Sequence, residues 1–355
     1  MKREYISLAL AAAMTLSLAA PVAADSSVES TAEAEYGITL DNIDEMAKEA
    51  AQGLDTSSMK FAFSGSELAN PWVTSVMNGF EAACQDFGIQ STGLNAGSDV
   101  DQQVTDIENV VNGGYNAVVM NPIDGTALES VLNDATNAGI ASITVAQAAS
   151  AATAGIEMDD YGYGTIIAQN AAEWIKENLD GKCQIAVLAE DNIESSIRRG
   201  DAIVDTLTKE LPDSEIVARQ QGNTPEQGLK DVETLLVQYP DLKVVVCCND
   251  SGGIGAYQAF DNAGKAHDDD CAVFSGDNTD EAREYIKDPT SIYRGTADLY
   301  PYQSGYQAAE LAIIYLGKGL PATHQVFGLT MGPVTKDQVI QEMSGTVSDV
   351  GSVAS

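Results

Sequence analysis

The amino-acid sequence predicts an α/β fold made of two Rossmann-like lobes, each built around a parallel sheet. Short runs rich in Val and Ile alternate with longer segments of helical periodicity, which is typical of α/β proteins. This alternation occurs twice along the chain, which indicates two similar halves. A length of 355 residues also suits two domains better than one hydrophobic core.

Residues 1–24 are predicted to be a signal peptide. Lys2 and Arg3 give a positive start, an apolar run follows over 6–20, and Val22-Ala23-Ala24 offers a small-residue cleavage site. The apolar run is too short for a comfortable membrane span. The first cysteine is Cys84, so no cysteine near the cleavage site is available for lipidation. The mature protein is therefore expected to be exported, as a soluble periplasmic or extracellular protein.

Residues 25–58 are expected to form a flexible leader before the fold. The first part of this segment is polar. Leu40 to Leu54 is compatible with one amphipathic helix that places Ile43, Met46 and Ala47 on the same face.

The first set of elements begins with the stretch Phe61–Trp72, which reads as an apolar strand, a polar turn and a helix start. Asn70 is a suitable N-cap and Pro71 a suitable first helical residue. A turn from strand to helix lies at the carboxyl edge of a parallel sheet, where such sheets bind ligands. The set comprises strand 60–64, helix 71–87, strand 88–94, helix 100–112, strand 117–120, helix 126–138 and strand 140–145.

The second set repeats this order after a connecting helix over 164–179. Glycines follow several of the predicted helices, as expected for helix ends. The set comprises strand 183–189, helix 195–211, strand 215–220, helix 225–238, strand 243–248, helix 252–263, strand 271–275, helix 280–287 and strand 292–295. A last helix is predicted over 303–316, and residues 343–355 are expected to form a disordered tail.

Composition and motifs argue against several classes of function. The net charge is −35, with no cluster of Lys or Arg to offset it, so nucleic acid is not an expected partner. The two histidines are far apart in sequence, and no nucleophile, metalloprotease or phosphate-loop motif is present. No enzyme activity, cofactor or metal is therefore predicted. The five cysteines show no Cys-x-x-Cys pair and are expected to be buried free thiols.

Polar residues and one aromatic residue recur where strands or crossover segments are predicted to end. Carboxylate and amide side chains hydrogen-bond hydroxyl groups, and an aromatic ring packs on the C–H face of a sugar. Few basic residues lie nearby, with Arg198 and Arg199 the nearest, so the ligand is expected to be neutral or cationic. Each candidate has a purely structural alternative, such as capping a helix or shaping a turn. The candidates are Trp72, Asn121, Gln147, Asp160, Asn249, Asp277 and Asp298.

A series of short motifs runs through residues 59–333. These motifs are Asn70-Pro71-Trp72, Met120-Asn121-Pro122, Gly228-Leu229 through Leu235-Leu236, Tyr239-Pro240-Asp241, Asn249-Asp250, Ala263-Gly264-Lys265 and Gly276-Asp277. As a series they resemble the type I periplasmic sugar-binding proteins, the ribose- and galactose-type receptors of ABC importers. The resemblance implies two lobes that are joined by three hinge crossovers and close on one sugar. It places ligand contacts on Asn70, Trp72, Val73, Asn121, Asn249 and Asp277.

The chain departs from that family pattern at about half of the polar contact positions. Ala146-Gln147 stands where the family often has Asp-Arg, and Ile197 stands at the usual arginine position. Asn223 replaces an aromatic residue, and Leu299, next to Asp298, replaces a glutamine. The identity of the sugar therefore stays open, and a non-sugar ligand such as a nucleoside or an amino compound is an alternative.

The resemblance also implies a division of the chain and a set of partners. The first lobe is expected to comprise 59–160 plus 299–326, and the second 161–298 plus 327–342. The expected function is capture of a monosaccharide or polyol by a monomeric receptor that delivers it to ABC permease subunits. The alternative partner is a chemoreceptor or sensor kinase. A repressor on the same scaffold is disfavoured by the export signal.

Overall fold

The computed structural model describes residues 36–192 and 194–343. Within these residues, twelve strands form two six-stranded sheets, and helices flank both of them. This architecture confirms the predicted α/β fold of two lobes. The predicted signal peptide, the predicted leader up to residue 35 and the predicted tail from 344 lie outside the described residues.

The sheet of the first lobe is parallel throughout. Its strands are β1 (Lys60–Gly65), β2 (Gln90–Asn95), β3 (Ala117–Met120), β4 (Ala141–Ala146), β5 (Ala154–Glu157) and β11 (Gln325–Gly328). They are arranged in the order β11-β5-β4-β3-β1-β2. Strand β3 is buried along its whole length because helices cover both faces, which explains its continuous apolar sequence.

Among the described residues, five α-helices belong to the first lobe: α1 (Ile43–Ala51), α2 (Pro71–Asp86), α3 (Val100–Asn112), α4 (Glu129–Asn137) and α10 (Pro301–Lys318). Helices α2 and α10 pack backbone against backbone, since Gly79 faces Tyr302 and Gly305 faces Val76. A Cβ atom at Gly79 would lie only 1.8 Å from the carbonyl oxygen of Tyr302. This contact requires glycine and attaches the late helix α10 firmly to the first lobe.

The second lobe contains the other described elements. They are α5 (Asp160–Asn178), β6 (Gln184–Ala189), α6 (Glu194–Glu210), β7 (Glu215–Gln221), α7 (Pro225–Gln238), β8 (Leu242–Cys247), α8 (Asp250–Asn262), β9 (Ala272–Phe274), α9 (Asp280–Lys287), β10 (Tyr293–Asp298), β12 (Gly332–Thr335) and α11 (Lys336–Met343). The sheet order is β12-β10-β9-β8-β6-β7. Its pairings are parallel except that β12 runs antiparallel to β10.

Three segments cross between the lobes in the described part of the chain. The first joins β5 to α5, the second joins β10 to α10, and the third joins β11 to β12. Leu299, Leu329 and Met331 are buried in these segments and belong to one apolar cluster with residues of both lobes. The three crossovers therefore form a common apolar hinge region.

The described part of the predicted flexible leader is packed against the first lobe. Ile38, Ile43 and Ala47 are buried in its core, and α1 lies against α10. The Tyr36 ring meets Tyr315 edge to face, with ring centroids 6.1 Å apart. The expectation of flexibility is thus wrong for residues 36–58, because the amphipathic helix α1 packs against α10, which lies much later in the chain.

Several element boundaries differ from the prediction. Strands β5, β11 and β12 and helix α11 were not predicted, and α5 starts at Asp160 rather than at residue 164. The predicted division after residue 326 falls inside β11, which pairs with β5 as far as Gly328. In the described residues all five cysteines are free, and no helix has the length and hydrophobicity of a membrane span.

Candidate functional site

The carboxyl ends of both sheets adjoin the hinge. Only two residues separate the end of β5 from α5 of the other lobe, and only two separate the end of β10 from α10. The parallel neighbours of these strands end at the same edges of the sheets. The strand-to-helix turns of the two lobes therefore border one interlobe region. Open α/β sheets and domain interfaces both favour ligand binding at such a place.

The start of α2 brings three predicted site residues to this region with very different exposure. Asn70 is exposed and caps the helix, since its Oδ1 accepts from Trp72 N at 2.9 Å. The Trp72 ring is half-buried, and its Nε1 is buried without a hydrogen-bond partner among the described residues. Val73 is 2% exposed and belongs to the core of the lobe, so it has little surface to offer a ligand.

Asn121 ties three strand ends of the first lobe together. Its Oδ1 accepts from Ser66 Oγ at 2.6 Å, and its Nδ2 donates to Val145 O at 3.0 Å. The residue is only 7% exposed. Gln147, in contrast, is exposed just beyond β4, where Ala146 has a positive φ of 67°. In this lobe, Asn70 and Gln147 are thus more accessible to a ligand than Asn121.

In the second lobe, Asp160 forms an ion pair with Arg199. Asp160 Oδ1 accepts from Arg199 Nη2 at 2.8 Å and from Nε at 3.2 Å, and both side chains are about one-seventh exposed. Asp160 does not cap α5, because Asp159 accepts from Tyr161 N and takes that role. In the sequence, Arg199 was noted only as one of the two basic residues nearest to the candidate positions.

Arg199 has further contacts that fix it at the base of the second lobe's turns. Its Nη1 donates to Cys248 O at 3.0 Å, and the guanidinium lies 4.8 Å from the centroid of the Tyr163 ring. Burial opposes its charge, but the nearby carboxylates of Asp277 and Asp160 raise the pKa of Arg199. The guanidinium is therefore charged and already balanced by carboxylates.

Asn249 and Asn223 are joined to each other and to the end of β6. Asn249 caps α8 through Gly252 N at 2.9 Å and donates from Nδ2 to Asn223 O at 3.1 Å. Asn223 Nδ2 donates to Glu190 Oε1 at 2.5 Å, while its Oδ1 accepts from Gln221 Nε2 at 3.3 Å. Sequence reasoning missed Glu190 and Gln221, although both lie at strand ends.

Asp277 is exposed just beyond strand β9. Its φ of 106° is unusual for a residue other than glycine, and its backbone N–H donates to the Tyr163 hydroxyl at 2.6 Å. Although solvent reaches the side chain, surrounding protein atoms replace much of its water. This burial, followed by the negative charge of Asp250, raises the pKa of Asp277, while Arg199 opposes the shift.

Asp298 is buried and committed to the crossover between β10 and α10. Its Oδ1 accepts from Tyr300 N and its Oδ2 from Asn278 Nδ2, both at 2.8 Å. These bonds fix Tyr300, whose φ is 43°. Asp298 therefore has less free hydrogen-bonding capacity than Asp277.

The balance of charge at these strand ends is acidic. Arg219, the other arginine at the rim of the second lobe, pairs with Asp191 at 2.6 Å and Asp201 at 2.5 Å. Arg199 is also paired, so both of these arginines are already balanced by carboxylates. The one candidate metal group among the described residues, Asp268, Asp270 and Cys271, precedes β9 and so lies at the opposite edge of the sheet.

Comparison with known proteins gives a consistent result. Residues 61–319 match a family model described as a periplasmic binding protein domain. The chain is 26% identical over 227 residues to the ribose import binding protein RbsB of Bacillus subtilis. The aligned region covers 63% of this chain and 71% of that protein. It is 25% identical over 280 residues to a D-ribose/D-allose-binding protein of Pseudomonas aeruginosa, and that aligned region covers 75% of this chain and 85% of that protein.

A solved structure supports the fold independently. The periplasmic ribose ABC transporter structure from Conexibacter woesei superimposes with a TM-score of 0.69, covering 82% of this chain and 96% of that one. The sequence identity is 20%, so this likeness concerns the fold alone.

Proposed function

Since the chain belongs to the periplasmic binding protein family, we propose that it is an exported receptor that captures a monosaccharide or polyol for an ABC importer. Proteins of this family are binding components of transport systems and not enzymes. The relatives named for ribose and for D-ribose or D-allose support a small sugar-like ligand. We expect the receptor to act as a monomer and to meet permease subunits on the membrane.

The observation that carries this proposal is the placement of complementary groups on both sides of the hinge. The first lobe offers the Trp72 ring, whose indole N–H has no partner among the described residues, and the exposed amides of Asn70 and Gln147. The second lobe offers the Asp277 carboxylate. An aromatic ring facing amide and carboxylate groups suits a molecule with a C–H face and several hydroxyls.

The proposed mechanism is ligand-driven closure of the two lobes about the three crossovers. A ligand that contacts both lobes is bound more tightly in the closed form, so it shifts the population toward that form. The permease would then recognise the closed receptor. The acidic balance of the site favours one alternative, a ligand that carries an amino group.

The proposal is tested by a thermal-shift screen against pentoses, hexoses, polyols, nucleosides and amino compounds. A ligand that binds only the native state, present at 100 times its Kd, stabilises it by about 2.7 kcal/mol. Hits are confirmed by titration calorimetry. Tight binding of a sugar phosphate or dicarboxylate, with no response to any neutral sugar or polyol, would reverse the proposal.

A further inference from the structure

Asp250, directly after the predicted site residue Asn249, is a fully buried carboxylate with hydrogen bonds on both oxygens. Its Oδ1 accepts from Ser275 Oγ at 2.5 Å, from Thr296 Oγ1 at 2.7 Å and from Tyr293 OH at 3.3 Å. Its Oδ2 accepts from Thr279 N at 2.7 Å and from Thr279 Oγ1 at 2.9 Å. Buried carboxylates are tolerated when they are hydrogen-bonded in this way.

Two of these donors enclose the segment that carries Asp277. Ser275 comes immediately before residues 276–278, which we call the 276–278 loop, and Thr279 comes immediately after them. One carboxylate thus holds both ends of the loop. Thr279 also caps α9, so the same contact fixes where that helix starts.

The 276–278 loop needs this support because its backbone is strained. Asp277 has a φ of 106° and Asn278 a φ of 50°, in a region that residues other than glycine seldom adopt. Asn278 N donates to Thr296 Oγ1 at 3.2 Å. Because Thr296 gives its own hydroxyl proton to Asp250, its lone pairs are free to accept from the loop.

We propose that Asp250 is a positioning residue, which holds the 276–278 loop in the conformation that presents Asp277 to the ligand. Asp250 is fully buried, and its hydrogen bonds act on the loop through Ser275, Thr279 and Thr296. The identification of Asp277 as a ligand contact rests on the proposed function. The control of the loop itself is a separate claim and is measured without ligand.

The charge of Asp250 supplies a second, electrostatic link to Asp277. The charged or titratable groups close to the Asp277 carboxyl are Asp250 of α8, Arg199 of α6, Tyr163 of α5 and Cys248, which follows β8. Asp298 of β10 and Arg283 of α9 bind the neighbouring Asn278. Removing the negative charge of Asp250 lowers the pKa of Asp277. A residue with a purely structural role would not produce this change.

The test uses Asp250→Asn, which keeps the size of the side chain but removes its charge and one acceptor oxygen. We expect a lower pKa for Asp277, measured by carboxyl ¹³C NMR with Asp277→Asn as the assignment control. We also expect faster amide exchange over 275–279. Val232→Ala, a core substitution in the same lobe, should leave both quantities unchanged.

Binding is probed with D-ribose by titration calorimetry across pH. We expect Asp250→Asn to weaken D-ribose binding about tenfold or more and to move the inflection of its pH profile to lower pH. If the wild-type protein does not bind D-ribose while the NMR and exchange changes appear, the choice of ligand fails and the positioning role stands.

A second variant guards against misfolding of Asp250→Asn. Thr296→Val keeps the carboxylate and removes only the hydroxyl between Asp250 and Asn278. We expect faster amide exchange in the 276–278 loop without a lowered pKa of Asp277. Unchanged amide exchange in the loop of Thr296→Val would overturn the inference. It would also be overturned if folded Asp250→Asn showed neither faster amide exchange in the loop nor a lower pKa of Asp277.

Discussion

Trp72 combines a half-buried aromatic ring with a buried indole nitrogen. Its indole nitrogen is buried, and the residues described here offer it no acceptor. A buried donor that stays unpaired costs about 1–3 kcal/mol, which an acceptor on a bound ligand would recover. The half-buried ring also leaves aromatic surface available for packing.

We therefore expect Trp72→Ala to weaken ligand binding by about 1–3 kcal/mol, as for other buried aromatic contacts. Trp72→Phe should lose less, because it keeps the ring and removes only the N–H. Trp174→Phe is the matched control, since Trp174 packs against Arg294 and Phe274 within the second lobe. Calorimetric titration measures all three, and an unchanged affinity in Trp72→Ala would remove this residue from the site.

The ion pair of Arg199 and Asp160 should contribute to the stability of the fold, in addition to its effect on which ligand charges the site accepts. Both groups are largely buried, so Arg199→Ala leaves an unpaired carboxylate and should cost about 3 kcal/mol of unfolding free energy. In a double-mutant cycle with Asp160→Asn, the double variant should lose less than the sum of the single variants. Lys48→Ala, which breaks an exposed pair with Asp44, serves as the control and should leave the unfolding free energy nearly unchanged. Additive losses in urea unfolding would contradict this account.

At the scale of elements, the contact between α1 and α10 contains an unusual carboxyl group. Glu310 is 1% exposed, and its Oε1 has no hydrogen-bond partner within 36–192 or 194–343. Burial and the nearby charge of Asp44 on α1 raise the pKa of Glu310 to about 7, while Lys48 opposes the shift. This helix contact therefore favours the protonated acid.

The stability of the protein should consequently fall between pH 5 and pH 8 because of this group. A carboxyl whose pKa is higher in the folded state binds its proton more tightly there, so its contribution is complete below about pH 4.5 and is lost as the pH rises through about 7. We expect Glu310→Gln to remove about 1–2 kcal/mol of this dependence in urea unfolding. Glu45→Gln, on the exposed face of α1, is the control. Parallel pH profiles for the wild type and Glu310→Gln would exclude the effect.

The elements also show what the sequence can and cannot predict. Strand β3 is a continuous apolar run and was predicted where it lies, and β8, which is apolar apart from Lys243, was predicted one residue late. Strand β5, in contrast, contains Ala-Gly-Ile-Glu and carries no such pattern. Helix α1 was predicted, but its partner α10 lies about 260 residues later, beyond the reach of local patterns. Arg199 was missed as a site residue because only the packed helix shows which of two adjacent arginines faces Asp160.

For the whole molecule, the excess of acidic residues should make stability sensitive to salt. The sequence has 53 acidic and 18 basic residues, and their mutual repulsion opposes compaction. Raising the ionic strength from 0.01 to 0.15 M shortens the Debye length from about 30 to about 8 Å. We expect Tm to rise by about 2–4 °C for each kcal/mol of repulsion screened. A Tm that stays constant or falls in a sodium chloride series would contradict this expectation.

The late return of the chain to the first lobe has a consequence for biogenesis. Tyr306 OH donates to Asp86 Oδ2 at 2.9 Å across 220 residues, and strand β11 completes the edge of the first sheet. A polypeptide that emerges from its amino terminus cannot finish this lobe until almost all of it has been synthesised. The first lobe of the nascent protein thus stays incomplete for most of its translation, a condition that favours the export proposed above.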